Sequence, residues 1–286
     1  MRYEAPDTLE AAAQLLASES GEARVLAGGT DLLVQLKAEV ISPVLLVDIK
    51  KVPETRKITE EDGGFRIGST VTGAELKEHA KLKAAWPGLV EGANLIGSTQ
   101  VQGRCTLAGN LCNGSPAADS VPAMIAAGAV ATVVGPKGRR EVKVEDIMIG
   151  PRKLSLEKGE IIASFKLPAR AAHASDAYLR FIPRTEMDIA VVGCGVSLTL
   201  DGSGTCTDAR VGLGAVAARP LLVADAAKAL IGTKVDEAAL TKLEAAVRAA
   251  CSPIDDKRGT KEFRIDVAGV LARRTALIAL ERARKK

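Results

Sequence analysis

The apolar side chains Leu9, Ala12, Ala13 and Leu16 recur at the three- and four-residue spacing of one helical face, and Asp7 followed by Glu10 reads as a capping box ahead of them. A first helix is expected there. The short run Arg24 to Ala27 reads as a strand, Gly28-Gly29 as its turn, and Thr30 to Glu39 as a helix stopped before Pro43. Val44 to Asp48 follows as a buried strand, so residues 1–55 form a first α/β unit with a glycine turn at a strand-to-helix junction.

The pattern restarts at Gly64 with a strand through Ser69, a helix opened by Thr72 and Glu75, and further helical stretches over Gly88–Leu95 and Ala118–Ala127. Ala129–Val134 and Arg139–Val144 frame a hairpin turn at Gly135-Pro136-Lys137-Gly138, and Ile161–Leu167 closes the unit as a strand before Pro168. Residues 56–172 thus predict helices with a largely antiparallel sheet. Ala169 to Asp176, alanine-rich and irregular, reads as a boundary. In 173–286, Ala177–Ile182, Ile189–Leu200 and Thr207–Val216 predict a three-stranded antiparallel sheet. Helices over Val223–Ile231, Asp236–Cys251 and Lys261–Arg284 follow. Strands first and helices afterwards is an α+β order.

Composition narrows the core and the function. Of 286 residues, 47% are apolar but only 2% aromatic, so the core is built from Ala, Val, Leu and Ile, and aromatic base-stacking platforms are not expected. A formal charge of +4 and a basic end at Arg282, Arg284, Lys285 and Lys286 fit a solvated helix terminus better than a polyanion site, so no nucleic-acid partner is expected. No apolar run approaches the roughly 20 residues that span a bilayer. Met1-Arg2-Tyr3-Glu4 does not open a signal peptide, so a cytoplasmic location is expected. Five cysteines without a CxxC pair and two scattered histidines predict neither a disulfide framework nor a metal or iron-sulfur site in this chain.

Two glycine loops carry the chemistry. VLAGGTDLL from Val25 and TLAGNLCNGSPAAD from Thr106 each flank apolar residues and lead toward helical patterns, where backbone N–H groups can point at an anion. Two such cradles suit a diphosphate, with Thr30, Asp31, Thr106, Asn110, Ser115 and Asp119 beside them. Other phosphate signatures are missing: Gly193-Cys194-Gly195 lies in a strand pattern with Leu198 where a dinucleotide fingerprint needs glycine, and no GxxxxGK[ST] occurs. Nucleophile elbows are absent as well.

AGGTDL at Ala27 and TLAGNLCNGSPAAD at Thr106 resemble the two signature loops of the FAD-binding medium subunit of molybdenum hydroxylases, the carbon monoxide and xanthine dehydrogenase type. Ile96-Gly97, Glu160-Ile161-Ile162, Arg184 with Asp188-Ile189-Ala190, and the helix from Lys261 extend the resemblance over nearly the whole chain. It implies a two-subdomain FAD-binding fold of the PCMH/VAO type followed by the α+β C-terminal domain. It also implies FAD as cofactor, held by Val25, Leu26, Ala27, Gly28, Gly29, Thr30, Asp31 and Leu32 on one side and by Ile96, Thr106, Gly109, Asn110, Ser115 and Asp119 on the other. Ile162 matches an apolar position beside the isoalloxazine and Arg180 a basic one near that ring. The partners implied are a molybdopterin-binding large subunit and a [2Fe-2S] small subunit in a dimer of heterotrimers. Electrons then pass from the iron-sulfur subunit through FAD to an external acceptor.

Some positions stay open on the sequence. Asp119 reads either as a ligand of a sugar or ribityl hydroxyl or as a helix cap; Arg180 faces flavin or pairs with Glu186 or Asp188; Tyr178 covers flavin or packs in the core. Ala108 and Cys105 stand where the family commonly has glycine, and the extra methyl of Ala108 crowds a phosphate only if that residue needs positive φ or faces the ligand. A stand-alone flavin reductase of the cell-wall precursor type, or a flavin-free scaffold, are the alternative functions.

Overall fold

The computed structural model describes residues 1–286. Its first unit holds β1 (Arg2–Glu4), α1 (Leu9–Ser18), β2 (Ala23–Leu26), α2 (Leu32–Lys37) and β3 (Leu45–Asp48). The three strands form a parallel sheet in the order β1-β3-β2. Leu9, Ala12, Ala13 and Leu16 bury the predicted face of α1 against Leu45 and Val47. The cap differs from expectation: Thr8 accepts from the Ala11 N–H at 3.2 Å, and Glu10 turns away to pair with Arg139 at 2.8 Å. A hydroxyl one residue nearer the helix wins the N-cap position over Asp7. Helix α2 is also shorter than predicted because Glu39 takes a left-handed φ of 54°.

The second unit contains β4 (Ile58–Glu61), β5 (Gly64–Gly68), α3 (Gly73–Glu78), α4 (Ala80–Ala85), α5 (Pro87–Asn94), α6 (Leu107–Cys112) and α7 (Ser120–Ala126). It continues with β6 (Val130–Gly135), β7 (Gly138–Lys143), β8 (Met148–Gly150), β9 (Lys153–Leu154) and β10 (Ile161–Leu167). Five strands form an antiparallel sheet in the order β4-β5-β10-β6-β7, and β8 and β9 pair separately. Thr72 and Glu75 open α3 as expected, and do so through a capping box with both reciprocal bonds present. Phe165, Trp86 and the apolar faces of α5 to α7 fill this unit's core. Val134, Ile161 and Ala163 face the other way and complete the first unit's core, so β6 and β10 serve both.

The third unit runs β11 (Ala174–Phe181), β12 (Val192–Leu200), β13 (Cys206–Gly214), β14 (Leu221–Leu222), α8 (Ala224–Leu230), α9 (Glu237–Ala250) and α10 (Lys261–Arg284). The antiparallel sheet has four strands where three were expected, because two-residue β14 adds to the edge through Gly212 and Leu213. Such a strand is too short to leave a period-2 signal. The irregular stretch before it is shorter than expected. Strand β11 takes in Ala174, Ser175 and Asp176, all buried. The Gly195 of the apparent fingerprint sits in β12, where a side chain would strike the Pro122 carbonyl at 2.7 Å, so it admits α7 against the sheet.

Candidate cofactor site

Both glycine loops fold onto one cleft of about 290 Å³ between the first and second units. The first loop leaves the buried end of β2 and enters α2. None of the backbone N–H groups from Ala27 through Leu32 donates to a protein acceptor, whereas Leu33 and Gln35 already bond back to Gly29 and Asp31. Unpaired N–H groups at a helix start are an anion-binding array. Gly29 supplies the left-handed turn, with φ of 79°. Gly28 is required for a different reason: a Cβ there would lie 1.9 Å from the Arg104 carbonyl oxygen, so the two loops touch backbone to backbone.

The second loop is a short helix rather than an open loop. Thr106 caps α6 by accepting from the Gly109 N–H at 3.0 Å, which leaves the N–H groups of Leu107 and Ala108 free in its first turn. Asn110 is fixed from behind: its Oδ1 accepts from the Ser120 N–H at 3.1 Å and the Ser120 hydroxyl at 2.7 Å, so its NH2 has no protein acceptor. Gln35 on α2 donates to Asn113 at 3.4 Å and ties the two loops together again. The donors of the two loops are neutral dipoles; charged side chains in the lining are Arg24, Glu160 and Asp31, the last with its carboxyl pushed upward by burial.

Val25, Ala27, Gly28, Gly29, Thr30, Asp31, Leu32, Ile96, Thr106, Gly109, Asn110 and Ile162 all line this cleft. Leu26 lies beneath the loop in the buried strand end, and Ser115 spends its hydroxyl on the Ala117 N–H at 3.2 Å, away from the lining. Asp119 and Arg180 are also outside the lining and face each other. Arg180 Nη1 donates to Asp119 Oδ2 at 2.8 Å and to the Leu95 carbonyl at 2.8 Å. The readings of Arg180 against Glu186 or Asp188 fail, since its guanidinium bonds to Asp119 and Leu95, while Asp188 pairs with Arg258 at 2.8 Å. Asp119 makes no helix-cap bond. Burial outweighs the cation and raises its carboxyl to about 6. Tyr178 is a core residue, 2% exposed, with its hydroxyl 3.4 Å from Asp119.

Ile49, Ser69, Gln35 and Asn113 line the cleft and were not singled out in the sequence. Asn113 lay within the second signature, but Ile49 and Ser69 follow strand ends with no motif of their own. Ala108 is helical without positive φ, so its methyl adds bulk to the cleft wall and no backbone strain. No group of three or more His, Cys, Asp or Glu side chains is arranged to hold a metal.

A paired N–H cradle between the first and second units suits the diphosphate of a nucleotide cofactor, and similarity to known proteins says which one. Residues 1–170 match the family described as the FAD binding domain in molybdopterin dehydrogenase, and residues 177–279 match the CO dehydrogenase flavoprotein C-terminal domain. The chain belongs to this family of FAD-binding, electron-transferring oxidoreductase subunits. It is 34% identical to the carbon monoxide dehydrogenase medium chain of Afipia carboxidovorans, over 99% of this chain and 96% of that one. Over 95% of its length it is 32% identical to a putative xanthine dehydrogenase FAD-binding subunit of Escherichia coli, covering 93% of that subunit. It superposes on reconstituted CO dehydrogenase from Oligotropha carboxidovorans with a TM-score of 0.93 at 34% identity, covering 99% and 98% of the two chains. Quinoline 2-oxidoreductase from Pseudomonas putida 86 gives 0.89 at 29% identity, over 99% and 98%.

Proposed function

We propose that this chain is the flavoprotein electron-transfer subunit of a molybdenum hydroxylase, holding the FAD diphosphate between the first loop and α6. The observation that carries the reading is the run of unpaired N–H groups from Ala27 to Leu32 opposite the free first turn of α6. FAD supplies the redox chemistry: it takes up electrons and gives them on. The chain's residues bind, orient and shield. Gly28 lets the loops close, Asn110 presents an amide held by Ser120, and Ile96, Ile161 and Ile162 form apolar walls that keep water off.

Organic substrate is oxidised in a molybdopterin-binding large subunit, and a [2Fe-2S] small subunit delivers the electrons, in a dimer of heterotrimers. Support for such partners comes from relatives named as medium chains and as subunits of dehydrogenase complexes. The chain has no helix long and apolar enough to cross a membrane, and we place the complex in the cytoplasm.

Anaerobic reduction tests the assignment. Bound FAD in the isolated chain is expected to be bleached by dithionite and to stay oxidised with the organic substrate. In the complex purified with its co-encoded subunits, substrate alone bleaches it. Turnover of a small-molecule substrate with NADPH by the isolated chain would overturn the subunit reading.

A further inference from the structure

We propose that Arg180 is a positioning residue: by holding the Leu95 carbonyl at the end of α5, it sets the Ile96 wall of the cofactor cleft from outside. The inference rests on the FAD reading of that cleft and extends it to a residue that does not line it. Strand β11 runs beside α5 and meets it three times at alternate positions. Asp176 Oδ2 accepts from the Leu89 N–H at 3.0 Å, the Tyr178 N–H donates to Glu91 Oε2 at 3.0 Å, and Arg180 Nη1 donates to the Leu95 oxygen at 2.8 Å. The first of these fixes the start of α5 and the last its end.

Gln102 holds the Asn94 and Ile96 carbonyls at 3.3 and 2.6 Å, so the Leu95 carbonyl between them is left to Arg180, and the backbone amide bonds at this turn are long. Leu95 and Ile96 bond back to Gly92 and Ala93 at 3.4 and 3.3 Å, at the long end of useful geometry. Carbonyls in the last turn have no partner within the helix, and a cation is the favoured one. The Arg180 side chain is 5% exposed and that of its counter-ion Asp119 10%, so bulk water does not substitute for either. Asp119 immediately precedes α7. One guanidinium therefore joins β11, the end of α5 and the start of α7, and the next residue along from its carbonyl partner is cleft-lining Ile96.

Hydrogen exchange on FAD-free protein separates this role from direct contact with the cofactor. In Arg180→Ala the amides of Leu95 and Ile96 are expected to exchange about tenfold faster without FAD, as loss of roughly one charged hydrogen bond implies. The FAD dissociation constant rises by about the same factor, and Arg180→Lys restores most of both. Should Arg180→Ala not fold, Arg180→Met removes the donors at similar volume and is read the same way. Unchanged exchange at Leu95 and Ile96 in the FAD-free variant overturns the proposal, whatever happens to FAD affinity. Faster exchange in a variant of a wild-type chain that takes no FAD leaves the Arg180 anchor standing and overturns the FAD reading.

Discussion

At Gly28 the absence of one methyl group decides how close the two loops lie. The Arg104 carbonyl is backbone, so nothing flexible can yield to a Cβ placed 1.9 Å away. Gly28→Ala is expected to part the loops and weaken FAD at least about tenfold in a fluorescence titration, a difference of roughly 1.4 kcal/mol. Affinity equal to wild type would show that the loops do not need this contact. Asp119 gives a pH prediction. Its folded-state acid is raised to about 6 against an ordinary 3.8, so between those values the native protein binds a proton that the unfolded chain has lost. Stability therefore falls as pH rises through that window. Relative to Asp119→Asn, the wild type should lose roughly 2 to 3 kcal/mol between pH 4 and pH 6.5, read from denaturant curves of the two proteins. A difference that is flat with pH contradicts the assigned burial. Neither effect was legible in the sequence: Asp119 and Arg180 are 61 positions apart, and only the fold reveals that they spend their charges on one another.

At the scale of elements, helices α1 and α6 begin with the same device and differ in what depends on it. Thr8 caps α1, which faces a core; Thr106 caps the six-residue α6, whose first turn faces the cleft. Replacing either by Ala should cost about 1 kcal/mol of stability. Only Thr106→Ala is expected to loosen FAD, because a frayed α6 no longer aims the Leu107 and Ala108 N–H groups. Equal FAD affinities in the two variants would remove α6 from the cradle. The long elements were readable from apolar spacing: α9, α10, β10 and β12 begin and end within three residues of expectation. Strands β1, β4, β8, β9 and β14, of two to four residues, were not. Strands that short carry no periodicity of their own; the four-residue β2 and β3 were readable only because a glycine turn follows one and Pro43 precedes the other. The first signature likewise gave its turn correctly, while the second, read as a loop, is half helix because Thr106 caps it.

Across the second and third units of the molecule, a buried ion pair adds to the packing of α5 and α7 on the third sheet. Asp176 and Arg170 meet at 2.7 Å with side chains 2% and 12% exposed, Arg170 lies 3.7 Å over the Trp86 ring, and Asp176 also accepts from Leu89. Removing one partner strands the other charge, so Asp176→Ala should destabilise by about 3 to 5 kcal/mol, measured by urea unfolding; a loss below about 1 kcal/mol would mean the units are held elsewhere. What the sequence conveyed at this scale was the order of units and the resemblance carried by two loops. It did not convey that those loops meet backbone to backbone or that β11 props α5 from behind. Binding of the FAD diphosphate between Ala27–Leu32 and α6 is tested most directly by ligand dissection, with calorimetry on the FAD-free chain. FAD should bind, ADP should compete for the same site, and riboflavin, which has no phosphate, should bind at least about a hundredfold more weakly than FAD, the loss of roughly 2.7 kcal/mol. Riboflavin binding as tightly as FAD, with no competition from ADP, would contradict it.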